Sequence, residues 1–434
     1  MVKYFKINTE KPVLKYRCNE KICFNVGAYK NGKEISCSCF KWTIQNADEI
    51  NTGYGYCSPG NSFQLTVYAK KPGFIKISLV ALNENKNCDA SFDRFFGSVG
   101  VEVEKLTGFA DDLNEYETLG QAAVEHAAAF TPTIVKTNQG LESKAKSFEI
   151  FKLQISSPLK HSFFCVQKIP KTNAKVPLIV SFGQNTLNRL DGIFKEKAIY
   201  FLCDPSTAFT KISLNYQTKQ DFYKAVLLSL ILVNYAKKTS KWDGENLIVC
   251  GVGSGAVHAV LLAAFENEIT FLDLRKPCLF NFESNLIQKP LPLNSNMAAF
   301  FAAARFINCP VRMESGLGCD PEMAMKLYNS LNCRRALVFL QGDTLNYRAP
   351  ERIAYHLSFD PANPTLKVKK GIYFGFDGRK YEVLGSVENC EISEPKILYR
   401  ALDNRLKVLS CTQSFFNEFY LKNGRVVVNF LKCD

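Results

Sequence analysis

Leu247-Ile248-Val249-Cys250-Gly251-Val252-Gly253-Ser254-Gly255-Ala256-Val257-His258 decides the fold. Four apolar residues run into a turn with glycine at every second place. Ala259-Val260-Leu261-Leu262-Ala263-Ala264 then continues as a helical run. A buried strand, a tight turn and a helix in that order form the centre of many open parallel-sheet proteins. The same alternation extends on both sides. Val176 to Phe182, Ala198 to Leu202, Ile269 to Leu274, Cys309 to Glu314 and Ala336 to Leu340 read as buried strands. Phe222 to Tyr235 reads as a long helix, and Phe148 to Ser156 with Ser162 to Gln167 as a hairpin pair. Residues 147–357 are therefore expected to form an α/β domain, its mostly parallel sheet covered by helices on both faces.

The flanks differ. Residues 1–104 read as all-β, with half-buried runs such as Ile22-Cys23-Phe24-Asn25-Val26, Phe63 to Tyr68 and Ile75 to Val80. Asn31-Gly32, Ser58-Pro59-Gly60-Asn61 and Lys71-Pro72-Gly73 separate them as turns. This spacing points to an immunoglobulin-like sandwich with Trp42 in its core. Residues 105–146 carry a helical pattern from Leu113 to Phe130 and are expected to form a connecting arm. Residues 358–370, with Pro361 and Pro364, read as a linker, and residues 371–434 as a small β-rich module.

A chain of 434 residues with 47% hydrophobic and 22% charged residues has the composition of a globular protein of two or three domains. Its start lacks an apolar run of signal-peptide length, which points to a cytoplasmic protein. The most apolar stretch, Ala225 to Tyr235, is too short to span a bilayer. The 16 cysteines contain no C-x-x-C pair, so reduced and buried thiols are the expectation. Six of them, from Cys18 to Cys88, cluster near the N-terminus and leave a disulfide or metal site open. No histidine lies among them, which argues against a mixed Cys/His zinc site. The formal charge of +13 is spread without a basic run, so a solvated surface is expected and no nucleic acid partner.

The glycine turn has two chemical readings. In one register, Gly251-Val252-Gly253-Ser254-Gly255 is a nucleophile elbow of the G-x-S-x-G kind with glycine in the serine's place. In the other, Gly251-x-Gly253-x-x-Ala256 is a dinucleotide fingerprint with Asp273 downstream to meet a ribose hydroxyl. Against the second, at least two strand-helix units precede the turn, whereas the fingerprint belongs to the first strand of its domain.

The central region resembles the acetyl xylan esterase / cephalosporin-C deacetylase family of α/β-hydrolases. The resemblance runs from about Gly100 to Leu357. It is carried by Gly100-Val101-Glu102-Val103-Glu104, Trp242 to Gly251, Lys276-Pro277-Cys278-Leu279-Phe280, Phe306 to Val311 and Ser315-Gly316-Leu317. It implies an α/β-hydrolase fold behind an N-terminal sandwich, in which Lys71-Pro72-Gly73-Phe74 is a familiar element. It implies no cofactor, and a carbohydrate or acetylated small molecule as partner, with the oligomeric state left open. The tail resembles a small bacterial domain of unknown function, through Gly371-Ile372-Tyr373, Gly378, Tyr381 to Gly385 and Tyr399 to Leu402.

Carried over residue by residue, the resemblance implies a degraded esterase site. The nucleophile position holds Gly253, with Ser254 beside it as a substitute hydroxyl. The acid position falls near Asp320. Asp343 stands where the histidine belongs. His356 is expected on the following helix and His258 on a face of the elbow helix, while His126 is read as a plain surface or core residue. The oxyanion loop is Ser181-Phe182-Gly183-Gln184, and Cys203-Asp204-Pro205-Ser206 replaces the family's Arg-Gly-x-Gly loop. Gly183, Gln184, Gly251, Gly253 and Gly255 would line the ligand pocket. A binding or scaffold protein without catalysis is the first expectation. An active deacetylase rebuilt around Ser254 is the second, and dinucleotide binding the third.

Overall fold

The computed structural model describes residues 3–46, 49–108, 113–138, 147–159, 161–183, 198–204, 218–277, 298–315, 320–341, 353–357, 368, 370–375, 379–387, 396–412, 415–416, 419–422 and 425–432. The first strands are β1 (Lys3–Thr9), β2 (Lys21–Lys30), β3 (Lys33–Ile35), β4 (Cys37–Asn46), β5 (Glu49–Cys57), β6 (Phe63–Tyr68), β7 (Gly73–Ala81) and β8 (Phe95–Val101). They pair antiparallel as two four-stranded sheets. In one, β1 lies on one side of β2, and β3 and β6 follow each other along the other. The second has the order β5-β4-β7-β8. Alternate residues from both sheets meet in one core, where the Phe5 and Phe63 rings stand edge-on to Phe40. Trp42 is only half-buried. Its ring covers Gly53 of the neighbouring strand, where a methyl group would come within 2.4 Å of it.

The central sheet has ten strands: β9 (Ile134–Asn138), β10 (Phe148–Ser156), β11 (Ser162–Pro170), β12 (Val176–Phe182), β13 (Ile199–Cys203), β14 (Trp242–Val252), β15 (Ile269–Arg275), β16 (Val311–Ser315), β17 (Arg335–Gln341) and β18 (Ile353–Leu357). Its order is β18-β17-β16-β15-β14-β12-β13-β11-β10-β9. The six strands from β12 to β17 run parallel, and the four outer strands are antiparallel. All seven residues of β12 are buried, as a strand covered on both faces requires.

The sheet departs from the sequence expectation at two segments. The segment 105–146 is not only a helical arm, because Ile134–Asn138 joins the sheet as its edge strand beside β10. His356 lies on a strand rather than a helix, in register with Val338 of β17.

Five described helices are α1 (Leu113–Ala129), α2 (Lys219–Ala236), α3 (Gly255–Phe265), α4 (Ala298–Ala304) and α5 (Pro321–Ser330). They pack on one face of the sheet, against Leu178, Val180, Leu247, Val249, Leu272 and Leu274. On the opposite face Ile179, Tyr200, Ile248, Cys250 and Phe271 form a second cluster. No described helix is long and apolar enough to cross a membrane.

The tail pairs as β22 (Asn404–Thr412), β21 (Lys396–Ala401), β20 (Lys380–Val387), β19 (Gly371–Gly375) and β25 (Phe430–Lys432), with a separate hairpin of β23 (Phe419–Lys422) and β24 (Arg425–Val428). Its own aromatic core holds Tyr373, Tyr381, Phe416 and Phe430.

Candidate functional site

The strand order reverses once. From β12 the chain passes to β13 on one side, then crosses back to β14 on the other side of β12. Such a switch point opens a crevice at the carboxyl ends of the strands, where open α/β sheets bind ligands. Here it falls at Phe182-Gly183 and at Val252-Gly253-Ser254, because Phe182 pairs in register with Gly251. The N–H of Gly253 donates to the Arg275 carbonyl at the end of β15, 3.0 Å away, and ties the turn to the next strand.

The glycines of this turn are not equivalent. A methyl group on Gly251 would lie 2.6 Å from Ala256 Cα and 2.7 Å from Ala259 Cβ, so helix α3 could not fold back onto its strand. One on Gly255 would lie 2.3 Å from the Phe182 backbone. Gly183, at φ 118°, meets Val252 O at 2.3 Å in the same way. These three serve close approach of backbone to backbone. Gly253 differs: its φ is 58°, in the left-handed region, and a methyl group there would meet nothing within 4 Å. Its position is conformationally strained for other residues and sterically open.

Ser254 has φ −63° and ψ −24°, already helical, and its side chain makes no capping hydrogen bond. It is half-buried. His258, one turn further on, is fully buried. Its ring stacks on Phe182 with centroids 5.4 Å apart, and its Nδ1 lies 3.0 Å from Ser229 Oγ of α2. The Ser229 hydroxyl donates its one proton to the Ala225 carbonyl at 2.8 Å, so Nδ1–H of the imidazole is the donor to Ser229. Burial pushes the His258 pKa down to about 3 and keeps the ring neutral. His258 thus faces the helix layer. His126 lies on α1 and shares a short hydrogen bond of 2.5 Å with the Tyr223 hydroxyl of α2.

Asp320 is the N-cap of α5. It accepts from Glu322 N at 3.3 Å, and Lys76 Nζ of the sandwich lies 3.1 Å from its carboxylate. Gln184 and Asp343 lie outside the described residues.

The polar group that pattern reading missed surrounds Asp273. This carboxylate is 1% exposed. It accepts from Arg275 Nε at 2.8 Å and forms ion pairs with Arg275 Nη2 at 2.7 Å and Arg312 Nη1 at 3.3 Å. Parallel register places Asp273 opposite Arg312, and Arg275 opposite Glu314. In the dinucleotide reading Asp273 would face a ribose, but here two guanidinium groups take up its oxygens. The strand that carries Asp273 was legible; Arg275 and the pairing with β16 were not.

No family model matches the chain. Among known proteins it is 20% identical over 306 residues to the acetyl esterase Axe7A of Xylanibacter ruminicola, covering 60% of this chain and 68% of that one. The chain resembles the acetyl xylan esterases. Solved structures that carry that name overlay on part of the chain. Acetyl xylan esterase 1 from a Thermoanaerobacterium species overlays with a TM-score of 0.44 and 13% identity, over 57% of this chain and 94% of that one. The enzyme from a Paenibacillus species gives 0.45 and 12%, over 54% and 90%. Both acetyl xylan esterase overlays are partial.

Proposed function

We propose that this chain is an acetyl xylan esterase-like protein that has lost its ester-cleaving nucleophile and serves as a binding or scaffold protein for acetylated carbohydrate. The observation that carries the reading is Gly253: it stands at the apex of the strand-to-helix turn with φ 58° and open space where a side chain would project. Its neighbours Gly251 and Gly255 keep the packing an elbow needs. Acyl transfer needs a hydroxyl there, a base within hydrogen-bond reach and an acid to orient the base. Triad members act as a unit, so the missing hydroxyl alone removes most of the rate. The N-terminal two-sheet unit is, in this reading, an immunoglobulin-like domain carried in front of the binding domain.

The second reading keeps catalysis and moves it to Ser254, whose half-buried side chain makes no capping bond. Asp320 and a histidine would then have to approach it. Dinucleotide binding has least support, since Arg275 and Arg312 already neutralise Asp273.

Fluorophosphonate labelling of the full chain with peptide mapping separates the first two, with titration of an acetylated xylo-oligosaccharide alongside. The expected outcome is no adduct on residues 242–275 and saturable heat of binding. A Ser254 adduct would restore the esterase reading. If neither adduct nor binding is seen, acetylated carbohydrate is the wrong ligand class.

A further inference from the structure

Cys37 and Cys57 are directly opposite each other in the antiparallel ladder of β4 and β5. They are 5% and 3% exposed, and both belong to the core between the two sheets of the sandwich. Their side chains therefore leave the ladder on the same face. Directly opposed residues hold their Cβ atoms about 4.5–5.5 Å apart. A disulfide takes a Cβ separation of about 3.5–4.5 Å and a Cα separation of about 4.4–6.8 Å. A rotation at each Cβ and a small approach of the strands closes that gap. The ladder allows this approach because its register slips between Cys37 and Phe40. The Cys37 thiol now donates to the Cys39 carbonyl at 3.4 Å. That carbonyl also accepts from Leu82 N at 3.0 Å, so it keeps a partner when Cys37 turns away.

We propose that Cys37 and Cys57 form a disulfide by exchange with a low-molecular-weight disulfide such as oxidised glutathione. One cysteine thiolate attacks a glutathione sulfur, forming a mixed disulfide and expelling one glutathione thiolate. The second cysteine attacks the protein sulfur of that bond and expels the other. The two thiol protons pass to the two glutathione thiolates. The protein is oxidised by two electrons and glutathione disulfide is reduced by two.

Burial raises both thiols, Cys37 to about 11, so little thiolate is present in the closed sandwich at neutral pH. Exchange belongs to the folding chain, or to moments when β5, the edge strand of its sheet, opens. Two of the other N-terminal thiols are engaged elsewhere. Cys23 Sγ contacts Thr66 Oγ1 at 3.7 Å and Cys18 Sγ donates to Glu102 at 3.2 Å. The bond would pin the edge strand to β4, and it is independent of the chemistry at Gly253.

The test is refolding of the unaltered full chain from guanidinium in mixed reduced and oxidised glutathione. Free thiols are then alkylated and the chain is digested with trypsin without reduction. Lys41 lies between the two cysteines, so the bond joins peptide 34–41 to peptide 42–70. The expected result is that cross-link, with fragment ions placing it at Cys37 rather than Cys39, and its survival in Cys39→Ser. Reduction should lower the unfolding midpoint of the oxidised chain by about 5 °C. Alkylation of both thiols after refolding would overturn the proposal, and so would a cross-link through any other cysteine.

Discussion

Gly253 is the glycine of the turn that nothing crowds, and that makes it the one replaceable position among three. Serine or alanine at 253 should cost about 1–3 kcal/mol, the strain of a left-handed non-glycine residue. Alanine at 251 or 255 must in addition displace backbone or helix atoms that lie under 3 Å away, which overpacks the site. Urea unfolding of the three alanine variants should therefore rank Gly253→Ala as the mildest. If all three lose the same stability, the turn does not have the geometry described. His258 sets a second expectation at this scale. Its folded pKa of about 3 lies below the ordinary value, so between these two pH values the unfolded chain binds a proton that the native chain refuses. The stabilising effect of a neutral buried ring is full above about pH 6.5 and is lost as pH falls toward 3. At pH 5 the loss is about 2 kcal/mol. Comparing urea unfolding at pH 7.5 and pH 5 should show this drop in the unaltered chain and not in His258→Gln. An equal drop in both would assign acid sensitivity to other groups.

At the scale of elements, α5 shows how a functional reading can hide a structural one. Asp320-Pro321 is a helix-start signal, N-cap followed by proline at the first helical position. It was legible in the sequence, but the expectation of a triad acid claimed the same residue. The far end of the helix was not legible. Arg335, from the start of β17, is 1% exposed. It donates from Nη1 to the carbonyls of Tyr328 and Leu331 and lies 4.7 Å above the Tyr328 ring. A guanidinium there gives the Leu331 carbonyl a donor, adds a second one to the Tyr328 carbonyl that also accepts from Leu331 N, and complements the helix's negative end. Arg335→Met, which keeps the aliphatic bulk, should cost about 3 kcal/mol by thermal unfolding; a loss under 0.5 kcal/mol would mean that water replaces the cap. Strand β12 and the Leu247–Cys250 part of β14 were legible because continuous apolar runs admit few alternatives, whereas Trp242 to Asn246, which lengthens β14, carries no such run. Ile134–Asn138 was not, because Ile-Val-Lys-Thr-Asn is short and four of its five residues are exposed, as an edge strand allows. The short Ile353–Leu357 carries no period long enough to separate strand from helix, and its pairing partner in β17 decides the matter.

Over the whole molecule, the sandwich is joined to the central sheet by contacts that no local pattern announces. Phe74 of β7 stacks on Phe339 of β17 with centroids 5.7 Å apart. Asn329 of α5 donates to the carbonyls of Val103 and Leu106, both at 2.8 Å. Lys76 reaches Asp320 at the start of the same helix. One apolar core runs through both units, whereas the tail's aromatic cluster is, among the described residues, a separate one. A shared core makes cooperative partners of two units that connectivity alone would leave independent. Calorimetry of the full chain should therefore show the sandwich and the central sheet melting in one transition. Removing the stacked ring and the bridging amide together, as Phe74→Ala with Asn329→Ala, breaks apolar and polar contacts at the same junction. These neighbouring losses are expected to couple rather than add. The double variant should split the peak, with the sandwich melting first. A single peak shifted as a whole would mean that the joint core holds without these residues. A peak already split in the unaltered chain would mean that the two units never shared their stability.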